Sequence, residues 1–288
     1  MHSLLLPLYT SSMLLLPIRT KILKQGDHFV QEILKNAELH SGDILVVSSK
    51  AIAMTEGAQR DLKIIKPSPE AQKLAEECNQ DPRFTQAVLD ETKRMNGTIV
   101  GTCPFALLTS LKPNGMKTGR ILCPNAGLDQ SNVASGSAIG WPRDPLQSIR
   151  KLRQSFSIFN FLPLEAPAGA KWGPFSILIS DSCCRPSRLG VTAFALVCAG
   201  IDPLRSEIGK KDLFGKKLRV TYEAVADQLA TAANAVMGNA DQCCPAAIIR
   251  DHGYPLSDFC GWVDGIEDGE DMFQNLFQTS SEGSLKNH

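Results

Sequence analysis

The chain has 288 residues, 30 Lys plus Arg balanced by 30 Asp plus Glu, and 43% hydrophobic content. That size and apolar fraction suffice for one large domain or two modest ones with a sizeable core, while the charge balance provides no basic stripe for nucleic acid. The nine cysteines are odd in number and scattered, twice as adjacent pairs (Cys183-Cys184 and Cys243-Cys244), which excludes a disulfide scaffold. No C-x-x-C exists and His2, His28, His40, His252 and His288 are isolated, so zinc-ligand spacing is missing. The thiols read as small apolar groups in a reducing, cytoplasmic compartment.

In chain order, Leu4–Leu6 and Leu14–Leu16 are apolar, but no Lys or Arg precedes them and Pro7 and Pro17 interrupt them. Neither a signal peptide nor a membrane span fits. Residues 14–18 are expected as a first core strand, with Met13 an alternative start and 1–12 a weakly ordered extension. Ile44–Val47 is a short apolar run suited to a buried strand, ending in Ser48-Ser49-Lys50. Ser68-Pro69 and Asp81-Pro82 place a capping side chain before a first-turn proline, predicting helices to about Cys78 and Lys93.

Arg120–Cys123 reads as a strand entering the polar loop 124–132. Asp144-Pro145 caps a helix to about Phe156, and the Pro- and Gly-rich stretch 160–174 is a loop or subdomain junction. Strands are expected at Phe175–Ser180, Val191–Ala199 and finally Ala246–Ile249, with an alanine-rich helix over Tyr222–Met237. Residues 266–288 form a polar tail. The irregular alternation predicts a mixed α/β (α+β) fold, with irregular mixed sheets and flanking helices.

Three constellations could carry chemistry. Asn125–Asn132 follows a strand, and its Asp129 is a hard oxygen ligand of the kind Mg²⁺ or Mn²⁺ prefers. An Asx-rich turn satisfying its own backbone accounts for the same residues. Ser180–Gly190 delivers Asp181 and Ser182 at a strand end, followed by Arg185 and Arg188, which can clamp phosphate or carboxylate. A solvated loop is the competing reading. Met237-Gly238-Asn239-Ala240-Asp241 closes the alanine-rich helix, either as a glycine C-cap or as metal and nucleotide contacts. Lys50 is a candidate phosphate contact. The P-loop, Rossmann and nucleophile-elbow signatures are all missing from the chain.

Taken together, these segments resemble the coenzyme F-420-0:L-glutamate ligase family. The matching stretches run in order: Ser48-Ser49-Lys50 with Glu56-Gly57, Lys66-Pro67-Ser68-Pro69, Asn125–Asn132, Ile179–Ser182, Arg185-Pro186, Gly200–Arg205, Asp212–Gly215, Val225–Asp227 and Met237-Gly238. The resemblance implies one ligase-like domain over 13–265, forming an interlocked homodimer. It implies a GTP-dependent acid–amino-acid ligase that joins L-glutamate to a small-molecule acceptor through an acyl phosphate. Two Mg²⁺ or Mn²⁺ ions per subunit, with K⁺ a further candidate, are implied at Asp129, Asp181, Ser182 and Asn239. Nucleotide contacts fall on Ser49, Lys50, Asn132, Met237, Gly238 and Asp241, with Asp129, Asp181, Arg185 and Arg188 at the reacting groups.

The chain departs from the family pattern at Met54, where a lysine is usual, at Cys183–Arg188, where a glycine and an aromatic ring are lost, and at Asn239, where Glu or Gln is usual. Those departures keep three alternatives open. A reduced folate is an alternative acceptor, and a nucleotide-binding homologue without catalysis is a second. A thiol-redox or soft-metal protein built on the Cys-Cys pairs is a third, weakened because adjacent cysteines chelate poorly as a pair.

Overall fold

The computed structural model describes residues 12–158, 175–267 and 269–273. Strand β1 (Leu14–Ile18) leads to helix α1 (Phe29–Asn36) and strand β2 (Ile44–Ser48), which runs directly into α2 (Ser49–Thr55). After the two-residue strand β3 (Arg60–Asp61) come α3 (Pro69–Cys78) and α4 (Pro82–Arg94). The Ser68 hydroxyl accepts from Ala71 N and the Asp81 carboxylate from Arg83 N, so each cap satisfies a first-turn N–H as its sequence pattern predicts. A meander follows: β4 (Thr98–Cys103), β5 (Ala106–Leu111) and β6 (Ile121–Pro124). The short strand β7 (Ser137–Ala138) pairs with β3, and α5 (Pro145–Ile158) is capped by Asp144, whose Oδ1 accepts from Gln147 N at 2.9 Å.

The second half contributes a long hairpin, β8 (Ser176–Arg185) and β9 (Arg188–Ala199), then a two-stranded ribbon, β10 (Arg205–Ser206) and β11 (Tyr222–Glu223). Helix α6 (Val225–Met237), β12 (Ala246–Arg250) and β13 (Cys260–Trp262) complete the described chain. The main sheet has the order β1-β12-β2-β8-β9-β13, in which only β2 and β8 pair in parallel. It is covered on both faces. Leu45, Val47, Ile177 and Ile179 point into a core shared with Phe156 and Trp141. Ile44, Val46 and Leu178 point into a second core under Val225, Leu229, Ala230 and Ala233 of α6. Double coverage explains why β2 is apolar at successive positions rather than at alternate ones. The mixed α/β class is as expected from sequence.

Several boundaries differ from the sequence expectation. The strand expected at Phe175–Ser180 continues to Arg185, and its partner starts at Arg188 rather than Val191. The polar stretch 181–185 therefore extends the hairpin, because the ladder with Phe194, Ala193, Thr192 and Val191 satisfies the backbone whatever the side chains are. The helix expected from Tyr222 begins at Val225, because Tyr222 and Glu223 pair with Ser206 and Arg205. The strand at 246–250 is not the last, since β13 adds at the far edge of the sheet. Residues 1–11 of the expected extension at 1–12, the junction at 160–174, and residues 268 and 274–288 of the expected tail at 266–288 lie outside the described residues.

One ion pair ties the far end of β12 to the start of β2. Arg250 donates Nε to Asp43 Oδ1 at 2.8 Å and Nη2 to Oδ2 at 2.7 Å, and Asp43 is 1% exposed while the Arg250 side chain is 20% exposed. Removing Arg250 leaves a buried carboxylate with no counter-charge and one bond, from His40 N at 2.7 Å, whereas removing Asp43 leaves a guanidinium that can still reach water. Arg250→Met is expected to lower stability in urea denaturation by about 3 kcal/mol, and Asp43→Asn by less. Equal losses would contradict this asymmetry.

Candidate active site

The parallel register of β2 with β8 sets Ser48 opposite Ser180, so both strands deliver their next residues to one end of the sheet. From β2 the chain turns at once into α2, presenting Lys50 in its first turn. From β8 it continues straight through Asp181 and Ser182. Asp129 is fixed alongside by reciprocal backbone bonds with Ile139, at 2.8 and 2.9 Å.

The fourth wall is the loop between α6 and β12. Gly238 leaves the helix at φ +75°, where a Cβ would lie 2.5 Å from the Gln242 amide carbon, and Gln242 Oε1 accepts from Ala240 N at 2.8 Å. Backbone bonds from Thr20 N to Cys243 O (3.0 Å) and from Ser48 N to Pro245 O (2.9 Å) anchor the end of the loop.

These segments enclose an open cavity of about 970 Å³. Its walls carry Lys50, Asp129, Asn132, Asp181 and Ser182, together with Met237, Gly238, Asn239 and Asp241 from the closing loop. Asn132 donates Nδ2 to Ala240 O at 3.1 Å, joining two of the expected segments directly.

Three expected residues stand elsewhere. Ser49 is fully buried behind the wall, and its hydroxyl finds no hydrogen-bond partner among the described residues. Arg185 lines a separate cavity of about 390 Å³ and donates Nε to Thr192 Oγ1 at 3.2 Å. Arg188 is exposed at the turn of the β8–β9 hairpin. The extension of β8 accounts for this, since continuing the strand carries Arg185 away from Asp181.

The two carboxylates sit in contrasting environments. Asp129 Oδ2 accepts from Lys50 Nζ at 2.5 Å and from the Ser131 hydroxyl, and Oδ1 accepts the backbone N–H groups of Gln130 (2.7 Å) and Ser131 (3.0 Å). Burial pushes its pKa up, but the bonds from Lys50 and Ser131 outweigh it and bring the group to about 2. Asp181 is raised instead: burial dominates, and the Asp129 charge adds to it, against the opposing Lys50 charge and the Trp141 indole N–H, which donates to Oδ2 at 2.7 Å.

Trp141 is the residue the sequence reading missed. It is 3% exposed, meets Phe194 edge-on at 6.2 Å and packs on Gly127, where a Cβ would come within 2.6 Å of the indole. A buried tryptophan needs a partner for its N–H, but nothing local in the sequence joins position 141 to position 181.

Whether the cavity suits a divalent cation turns on its donors. Asp129, Asp181, Ser182 and Asn239 offer oxygen ligands, the kind that Mg²⁺ or Mn²⁺ takes, and the cavity is lined by the carboxylates of Asp61, Asp129, Asp181 and Asp241 against the ammonium groups of Lys21, Lys24 and Lys50. The residues present fit such an ion. No group of three or more His, Cys, Asp or Glu residues with metal-binding geometry occurs among the described residues, so hydroxyl and amide oxygens would have to complete the shell.

A family model described as F420-0:Gamma-glutamyl ligase matches residues 17–251. The chain is similar to the Coenzyme F420:L-glutamate ligase of Methanopyrus kandleri, at 36% identity over 81% of this chain and 84% of the relative. Against the protein of the same description from Methanocaldococcus jannaschii the identity is 34%, over 88% and 94%. Against that from Methanothermobacter thermautotrophicus it is 38%, over 76% and 77%. A match spanning most of the described fold, including every segment that walls the cavity, places the chain: it belongs to the F420-0:gamma-glutamyl ligase family.

Proposed function

We propose that this enzyme forms an amide bond, joining the amine of L-glutamate to a carboxylate of a coenzyme F420-0 acceptor in the cytoplasm, with GTP as co-substrate and Mg²⁺ or Mn²⁺ as the metal. The observation that carries the reading is the single cavity that gathers Lys50, Asp129, Asp181, Asn132 and the 237–245 loop at one end of the main sheet in a member of a ligase family. No helix among the described residues is long and apolar enough to cross a membrane.

In this reaction an acceptor carboxylate oxygen attacks the γ-phosphorus of GTP. The bond to the β-phosphate oxygen breaks, leaving GDP and an acyl phosphate. The glutamate amine, having shed a proton, then attacks the acyl carbon and inorganic phosphate departs with the C–O electron pair. Such transfers depend on positioning and charge neutralisation more than on a protein nucleophile, in keeping with a cavity that holds no catalytic triad.

Lys50, held by Asp129, keeps an ammonium where phosphate oxygens would accumulate charge. Asn132 and the loop from Met237 to Asp241 provide amide and backbone groups for the nucleotide. Trp141 fixes the Asp181 carboxylate so that it does not swing as charge develops. A divalent cation held by Asp129, Asp181, Ser182 and Asn239 would supply neutralisation of the transferring phosphoryl group.

The test is mass spectrometry of the purified protein with L-glutamate, Mg²⁺ or Mn²⁺, GTP or ATP, and either F420-0 or tetrahydrofolate. A glutamyl-extended F420-0 formed with GTP is the expected product. Extension of the folate instead would favour the second acceptor, for which Met54 on the cavity wall, in place of the usual lysine, is the motive. No product from folded protein would leave a binding-only homologue. Asp129→Asn and Asp181→Asn are each expected to cut turnover by roughly a hundredfold or more, with the native circular-dichroism spectrum retained. Full activity in either variant would remove that carboxylate from the mechanism.

The same reading includes an interlocked homodimer. Asp212 Oδ1 accepts from Phe214 N and Lys216 N, both at 2.9 Å, and this turn presents Leu213 and Phe214 at 101% and 95% exposure. Leu189 at the hairpin turn is equally bare. Burying a Leu or Phe side chain is worth roughly 1.5–3 kcal/mol, which makes a second copy the natural cover. Light scattering is expected to give twice the 31.3 kDa chain mass, falling to the single mass in Leu213→Glu/Phe214→Glu. A wild-type protein that runs as a monomer would refute the dimer.

A further inference from the structure

A second cavity, of about 450 Å³, opens where the end of α2 meets the start of α5, within the size range of small-molecule sites. Its charged lining is Glu56, Asp144, Arg60, Arg143 and Lys151, with the amide of Gln59 and the hydroxyl of Ser148 beside them, and Asp144 is engaged as the cap of α5, accepting from Gln147 N. Gln59 also lines the cavity that holds Asp129 and Asp181, so the two spaces adjoin at that residue.

The charge around it is unbalanced. Glu91, 3% exposed, is tied to three guanidinium groups, more than any other carboxylate among the described residues. Its Oε1 accepts Arg94 Nε at 3.0 Å and Nη2 at 2.5 Å, while Oε2 accepts from Arg60 Nη2 and, at 3.5 Å, from Arg143 Nη1. One negative charge thus faces three positive ones. Burial depresses the Arg60 pKa, and Arg143 and Arg94 depress it further against the opposing pull of Glu91 and, more weakly, of Asp90.

Arg143 is the loosest member. Its contact lies at the outer limit of a hydrogen bond and its side chain is 64% exposed. Lys151, further along α5, makes no ion pair among the described residues. On the anionic side, both Glu56 oxygens accept from the Ser148 hydroxyl, at 2.7 and 3.0 Å.

We propose that this cavity is the binding subsite for L-glutamate. A free amino acid with two carboxylates needs two cationic partners, for which Arg143, Arg60 and Lys151 are present, and guanidinium matches carboxylate in paired bonds. Its ammonium needs an acceptor, which Glu56 provides. The junction at Gln59 lets the amine face the space in which the acyl phosphate would form. The assignment rests on the ligase reading above and deepens it. A simple anion such as inorganic phosphate shares the carboxylate chemistry but has no use for Glu56.

Isothermal titration of L-glutamate, glutarate and inorganic phosphate into the full-length protein, with and without GTP and Mg²⁺, separates these cases. Arg143→Gln and Lys151→Gln are each expected to weaken glutamate binding, and to raise its KM, by about tenfold, with the KM for GTP within about twofold of wild type. Glu56→Gln is expected to weaken glutamate and leave glutarate unchanged. Lys151→Gln, on the exposed side of α5, keeps the test open if an arginine variant folds poorly.

Unchanged glutamate affinity and KM in these variants would overturn the assignment. So would an equal rise in the KM for GTP, or a wild-type protein that binds no glutamate under any of these conditions. Phosphate binding as tightly as glutamate would reduce the cavity to an anion site only and overturn it likewise. If wild-type protein binds glutamate, and the variants lose it, while no acceptor is ever extended, the ligase reading falls and the subsite stands.

Discussion

The parallel pairing of β2 with β8 is the constraint on which the site depends. In an otherwise antiparallel sheet, this one pair brings two strand ends out side by side, Ser48 against Ser180. Lys50 and Asp181 follow within two residues of that edge, although more than 100 positions separate them. Parallel strands need a crossover, and here it is long enough to contain α2 to α5 and the three-stranded meander. The crossover returns Asp129 and Trp141 to the same edge, so a single register governs the lysine, both carboxylates and the indole that holds one of them.

The contrast between the two carboxylates follows from that placement. Asp129 sits in a turn surrounded by donors and stays ionised, whereas Asp181 emerges from a strand that is buried on both faces and is held by neutral donors alone, the Trp141 indole and the Ser182 backbone N–H. Lys50 lies near both but bonds only one. A site with one saturated and one under-served carboxylate has room for another positive charge, which is the electrostatic basis for the metal and nucleotide reading.

How far the sequence revealed all this depended on whether the signal was local. Ser68-Pro69, Asp81-Pro82 and Asp144-Pro145 announce helix starts because the cap and the fixed φ lie next to each other in the chain. Helices α1 and α2 escaped notice because His28 and Ser48 make no side-chain cap bond. The β10–β11 ribbon pairs two residues with two others across a long loop, and no composition marks that. At the site, polar side chains at the ends of strands and helices were legible: Asp129, Asn132, Asp181, Ser182, Asn239, Asp241 and Lys50 do share one cavity. Arg185 and Arg188 were read with them because they are close in sequence, whereas along a strand closeness in sequence means distance in space. Trp141 could not be read at all, because its role is defined by a residue 40 positions away.

The position of β12 has a consequence in time. It lies between β1 and β2, yet it begins at residue 246 whereas β2 ends at residue 48. On the ribosome, β2 emerges first and must remain without either neighbour, since β8 is also far downstream. At roughly 5–20 residues per second, the wait for β12 is roughly 10–40 s. Both edges of this apolar strand stay open until β8 emerges, and the β12 edge stays open through the whole interval, while α3, α4 and the β4–β5–β6 meander can close on local contacts alone. The nascent chain is therefore a half-built sheet beside a finished subdomain, and its hazard is premature pairing with another chain. Completion of the catalytic edge and removal of that hazard are one event, the insertion of a strand from near the C-terminal end of the fold.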